Sequence, residues 1–351
     1  MAQKAKSAAK SRLQRWSEMR STRLKQRGFG IIEWMIGMTI GLFLIGGITA
    51  VFVQSRAGSQ NTNQMGELQE TGRIALQLIS QDLRQVGFWG VATSNVMTRL
   101  NATINNEVIT PTLSSGSDCT DDLGGGSFPE DSIQFRQFWS FEIPQLSSLN
   151  YMRCIIDDDP DSQLKRGTDV IALKRLMGKR EPIPAAGTVT ADSPYLLVGS
   201  HSKAVIFASG STPPSDPSFT GSDAWQYLHH VYFLDRSLST NTPRLRRMSL
   251  NNSGMTLEPI LLSGVEDMQL LYIVEEANGN TNYQTSALSN DKVIGVEVFI
   301  LVRALEESKR YLNQNTYTLA DKTITVNDNF RRLLVSSVIS FSNPMWLDKA
   351  I

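Results

Sequence analysis

The sequence predicts an α+β chain: one long N-terminal helix packed on an antiparallel β-sheet domain. Three observations carry that expectation. Residues 29–53 form an apolar run broken by one charge. Helical spacing of apolar residues continues to residue 86, and the remainder alternates strand-like runs with Gly, Ser, Pro and Asp clusters. At 351 residues, 41% hydrophobic and 19% charged, the chain has enough apolar surface for a sizeable core, as one large or two modest domains.

Residues 1–28 stand apart by charge. They hold nine basic residues and one acid, Glu18, whereas residues 29–351 hold 25 basic and 33 acidic residues, a net of −8. Lys and Arg ahead of an apolar run stay on the cytoplasmic side of a membrane, so the chain beyond the run is expected outside. The 25 residues from Phe29 to Val53 exceed the roughly 20 that span hydrocarbon. A secretory signal fits less well, because its apolar region is shorter. Ser55-Arg56-Ala57 also puts a charge where a small-residue cleavage site would stand. The expected plan is a basic segment 1–28, a membrane helix 29–53, an amphipathic continuation 54–90 and a β-rich domain 91–351.

Glu33 is the charge inside the apolar run. A carboxylate in hydrocarbon costs roughly 2.5 kcal/mol or more and takes a partner, yet residues 29–55 offer no Lys, Arg or His. Cutting between Gly28 and Phe29 would create a cation: a protonated amine on Phe29, with Glu33 four residues on and sharing its helix face. The stretch "RGFGIIEWMIGMTIGLFLIGG" (27–47) resembles the type IV prepilin N-terminus. The resemblance implies that an inner-membrane prepilin peptidase cuts after Gly28, removes residues 1–28 as a leader and methylates the amine of Phe29. It also implies that the apolar helices pack in a filament core, where Glu33 neutralises a neighbour's amine and sets registry. Gly37 and Gly41 form a GxxxG pair, which permits close helix approach.

Beyond the apolar run, Met65, Leu68, Gly72, Ala75, Ile79, Leu83 and Val86 recur every three or four residues and mark one apolar stripe. "GFWG" (87–90) supplies glycines suited to a helix stop. A single helix over 29–85 would be about 85 Å long, its first half in lipid or a filament core and its second half packed on the domain. Strands are expected over 132–141, 168–176, 203–207, 226–234, 244–250, 265–274 and 293–303, with no helix–strand alternation and no internal repeat.

"LQETGRIALQLISQDLRQVGFWG" (68–90), "GTDVIAL" (167–173), "GVEDMQLLYIV" (264–274) and "FRRLLVSSVISFSNP" (330–344) resemble PilW-type minor pilins. That resemblance implies a pilin-like fold and a minor subunit near a filament tip that helps start assembly. The partners it implies are the peptidase, other minor pilins, the major pilin, the inner-membrane assembly platform and a tip adhesin. The implied location is the inner membrane, single-pass, with a periplasmic C-terminal domain, then the pilus. The J-type pseudopilins of type II secretion are similar in plan. A reading of another class is a periplasmic binding domain or enzyme using the helix as a tether.

Cys119 and Cys154 lie in the exported part, where an oxidising compartment favours a disulfide. His229 and His230 sit in a strand-like run that sends them to opposite faces, which disfavours a shared metal. Asp157, Asp159 and Asp161 alternate as in a calcium loop, but Ser162 stands where that loop needs glycine, so a solvated acidic turn is expected. Arg244, Arg246 and Arg247 are expected as a solvated face rather than a nucleic-acid contact. No GxSxG, GxxxxGK[ST], HExxH or CxxC occurs. The chain therefore reads as an assembly protein, with no catalytic residue, metal or cofactor expected.

Overall fold

The computed structural model describes residues 28, 30–92, 102–104, 119, 126–129, 135–145, 154–155, 160–182, 192–199, 203–208, 217–276, 278–286 and 291–346. Helix α1 runs unbroken over Ile31–Leu83. The chain divides into two compact units after Asn61.

In the second unit a ten-stranded sheet is built from β1 (Ala102–Ile104), β2 (Phe138–Glu142), β3 (Ser162–Leu164), β4 (Asp169–Pro182), β5 (Pro194–Val198), β6 (Ala204–Ala208), β7 (Asp223–Ser237), β8 (Pro243–Asn251), β9 (Gly254–Leu257) and β10 (Leu262–Ser263). Its spine runs β1-β6-β5-β7-β4-β2, with β3 and β8 also pairing β7, and β9 and β10 pairing β8. A second sheet in the order β12-β11-β13-β16 contains β11 (Val265–Glu275), β12 (Thr281–Gln284) and β13 (Lys292–Arg303). After the small hairpin of β14 (Thr316–Leu319) and β15 (Lys322–Thr325), β16 (Arg332–Trp346) returns beside β13. Every pairing among the described strands is antiparallel except β1 with β6.

Alternation along β4 and β7 separates two cores. Ile171, Leu173, Tyr232 and Leu234 face α1 and the second sheet, while Val170, Ala172, Val231 and Phe233 face the other way, towards Trp89 and Trp139. Leu68, Ala75, Ile79, Leu83 and Val86 of the helical stripe are buried in the first of these cores; Met65 is exposed at its edge. Gly72 lets α1 approach the second sheet closely. A Cβ there would lie 3.0 and 3.2 Å from the Val335 methyls and 3.4 Å from Val302. Gly87 and Gly90, just past the helix, have φ of +70° and +66°, which L side chains rarely adopt. A Cβ at Gly90 would also meet the Trp225 ring at 2.8 Å.

Where expected and observed strands overlap, the observed ones extend further, as in β7, or start later, as in β2. Nine described strands were not expected: β1, β3, β5, β9, β10, β12, β14, β15 and β16. All but β16 are five residues or fewer, and the exposed face of β16 is rich in serine. None offers a long apolar alternation. Cys119 and Cys154 form a disulfide with both residues buried in the core around Trp89 and Trp139. Closing a separation of 35 residues stabilises the fold by roughly 4 kcal/mol on the loop-entropy model.

Candidate functional site

In the first unit, Gly28 is exposed and non-helical, and Phe29 lies outside the described residues. Gly30 caps α1: its C=O accepts the Trp34 N–H at 3.1 Å. Glu33 then falls at the third helical position, and its Oε2 accepts the Gly30 N–H at 3.0 Å. This is one half of a capping box, and a negative charge in the first turn also complements the helix dipole. Glu33 therefore has a local function in capping its own helix, which its place in an apolar run did not by itself indicate. The signal was present in the sequence as an acid three residues after a glycine at a helix start.

From Ile31 to Phe52 the large apolar side chains are exposed around the helix, Phe43 at 86%. This stretch is long and apolar enough to cross a membrane. The hydroxyls of Thr39 and Thr49 are satisfied within the helix, donating to the C=O groups of Met35, Ile36 and Ile45 at 2.7–3.0 Å. That is the arrangement hydrocarbon demands of polar groups. A Cβ added at Gly37 or Gly41 would meet nothing within 4 Å, so this face is open to another helix. An apolar surface of this kind is stable against lipid or against similar helices, and only Glu33 breaks its uniformity.

In the second unit, the last turn of α1 is held by a buried charge cluster that the sequence reading missed. Asp82 Oδ1 accepts from Arg175 Nη2 and Nε at 2.6 and 3.2 Å. Its Oδ2 meets His230 Nδ1 and the Tyr232 hydroxyl, both at 2.6 Å. Arg247 donates to the Tyr232 hydroxyl at 3.2 Å and pairs with Glu258 at 2.6 Å. Burial alone would raise the Asp82 carboxyl. The His230 hydrogen bond and charge, Arg175 and the Tyr232 hydroxyl outweigh it and hold the carboxyl well below the usual carboxylate range. Burial and the Asp82 charge push the Tyr232 hydroxyl above its ordinary value.

His229 and His230 do point to opposite faces. His229 is fully buried beside Ser127, its Nδ1 2.8 Å from the hydroxyl, and burial with the nearby charges of Lys174 and His230 lowers its pKa. The expectation of a solvated Arg face is overturned. Arg244 and Arg246 are buried and both pair with Asp235, at 2.8 and 3.0 Å, and Arg247 is taken by Glu258. The cause is the acid on the neighbouring strand: Asp235 of β7 lies directly opposite Arg244 of β8. Asp157 and Asp159 fall outside the described residues. Asp161 accepts from the Ser239 N–H and the Ser237 hydroxyl, both at 2.8 Å, and so organises a turn. Among the described residues no group of three His, Cys, Asp or Glu is placed to hold a metal.

Two regions of the chain match known families. Residues 23–49 match the prokaryotic N-terminal methylation motif, and residues 231–343, from within β7 into β16, match type IV pilus-assembly protein W, PilW. Comparison with curated proteins and with solved structures finds no match. The methylation motif covers the helix start with its Gly28, Phe29 and Glu33, and the PilW region covers β8 to β15 with parts of β7 and β16. Together the two matches support a type IV pilus minor pilin of the PilW kind, acting in pilus assembly.

Proposed function

We propose that the chain inserts in the inner membrane as a precursor and is cut after Gly28, which leaves a methylated amine on Phe29. The observation that carries this reading is Glu33, the one charge at the start of an otherwise uncovered apolar helix, five positions past Gly28. With Oε2 engaged by the Gly30 N–H, Oε1 makes no bond among the described residues and is available to an amine. A neighbour's amine at that oxygen fixes the axial registry of two apolar helices. Gly37 and Gly41 let those helices come close, and leaving lipid is offset by apolar contact between subunits. Residues 91–351 then form the periplasmic domain, and the subunit serves in a priming complex near the tip with other minor pilins. Its work is binding, without catalysis: domains of this family are structural, and the peptidase is a separate enzyme.

The test is the intact mass of the full-length membrane protein, produced with and without a prepilin peptidase. A fall equal to residues 1–28, offset by one methyl group, is expected only when the peptidase is present. An unchanged mass in both would mean that the helix is a plain tether.

A further inference from the structure

The two sheets of the second unit meet at a polar joint. Asp169, which opens β4, accepts the Leu270 N–H of β11 on Oδ2 at 2.7 Å. Gln269 of β11 donates to the Gly167 C=O at 2.9 Å and to Asp267 Oδ1 at 2.7 Å. Lys322, at the start of β15, donates to Asp267 Oδ2 at 2.6 Å and to the same Gly167 C=O, tying the small hairpin into the joint. Nearby, the Tyr272 hydroxyl of β11 bonds the Ser140 N–H and C=O of β2 at 3.0 and 3.2 Å.

The charges that face Asp169 are mainly of its own sign. Glu142 of β2 is its direct cross-strand partner, and like charges so placed repel. Asp267 of β11 and Asp321 of the hairpin turn add to that repulsion. The nearby cations serve other groups: Lys322 and Lys165 act on Asp267, and Arg166 donates to the Pro144 C=O. Tyr272 and Arg136 complete the surroundings. No basic side chain hydrogen-bonds Asp169 among the described residues, and both Asp169 and Asp267 are buried.

We propose that Asp169 is a proton-operated clasp between the two sheets: a proton on its carboxyl tightens the joint with β11, and ionisation sets it against Glu142, Asp267 and Asp321 and loosens the joint. Burial comes first, and together with those three acids it outweighs the Leu270 hydrogen bond and pushes the Asp169 carboxyl up to about 7. The folded chain thus keeps a proton that the unfolded chain, with an ordinary value of 3.8, gives up. The stabilising contribution is complete below that ordinary value and is lost as pH rises through about 7.

Two measurements on the full-length chain in detergent test the clasp. Infrared difference spectra across neutral pH should show a protonated-carboxyl C=O band that titrates near 7 and is missing from Asp169→Asn. Hydrogen exchange at the Leu270 amide, corrected for its intrinsic pH dependence, should be slower below neutral pH than above it in the wild type. In Asp169→Asn that slowing below neutral pH should be absent. The wild-type exchange profile stands alone if the variant does not fold. A band that Asp169→Asn retains, or a Leu270 exchange rate indifferent to pH in the wild type, overturns the proposal. Neither readout depends on filament assembly, so failure here leaves the assembly reading untouched.

Discussion

Asp82 sits in the last turn of α1, where a negative charge opposes the helix dipole, and Arg175, His230 and Tyr232 of the larger sheet offset that cost. Replacing it leaves Arg175 buried without its carboxylate. Asp82→Ala is expected to lower stability by roughly 3–5 kcal/mol in urea unfolding of the full-length protein in detergent. Because the folded-state pKa of Asp82 is depressed, its contribution is present above the ordinary aspartate value of 3.8 and is lost as pH falls below it. The variant should therefore lack that part of the acid sensitivity. At Glu33 the expected contrast is between two substitutions. Glu33→Gln keeps an oxygen for the Gly30 N–H but has no charge for an amine, and Glu33→Ala has neither. Both should still be cleaved while entering sheared filaments poorly; normal incorporation of Glu33→Gln would remove the charge from the registry mechanism. The cap that Glu33 makes was within reach of the sequence, because its partner stands three residues away. Asp82 was not, since its partners stand 93, 148 and 150 residues away. Arg244 misled for the same reason: only the pairing of β7 with β8 sets Asp235 opposite it.

At the scale of elements, α1 meets the second sheet through an absent side chain. Gly72 faces Val335 of β16 and Val302 of β13 so closely that even an added Cβ would press on the Val335 methyls. Gly72→Leu is expected to cost about 1–3 kcal/mol by overpacking, despite leucine's better helix propensity. Val335→Ala, itself destabilising, should recover part of that loss when combined with it. A double-mutant cycle by urea unfolding would show the two changes coupled by more than about 0.5 kcal/mol, whereas additivity would place the helix elsewhere on the sheet. The helix itself was readable from period and composition, and so were the central strands β4, β7, β8, β11 and β13, because each carries a long apolar alternation. β16 escaped because its partners across the sheet, rather than its own Ser-rich pattern, make it a strand: Val335 and Ile339 are paired with Ile300 and Val296. The end of α1 was legible in "GFWG", whose two outer glycines take the positive φ that the turn requires.

For the molecule as a whole, two buried groups titrate against each other. His229 is kept neutral when folded, its pKa lowered from 6.5 by burial, so below that value the unfolded chain binds one proton more and stability rises with pH. Asp169 does the reverse: between 3.8 and about 7 the folded chain holds one proton more, and stability falls as pH rises. Just below 6.5 the two slopes oppose one another, so the wild-type denaturation midpoint should vary less with pH there than either group alone would make it. Asp169→Asn removes one side of the balance. Its folded-to-unfolded ratio is then expected to drop on acidification below about 6.5, by at most about tenfold per pH unit, because the His229 slope is no longer opposed. Above about 7 neither group changes its proton count, and wild type and variant should run parallel. Urea midpoints of the two proteins, measured in the same detergent at several pH values, decide the matter. A variant as flat as the wild type would mean that Asp169 is already ionised in mild acid, and that the joint between the sheets holds without its proton.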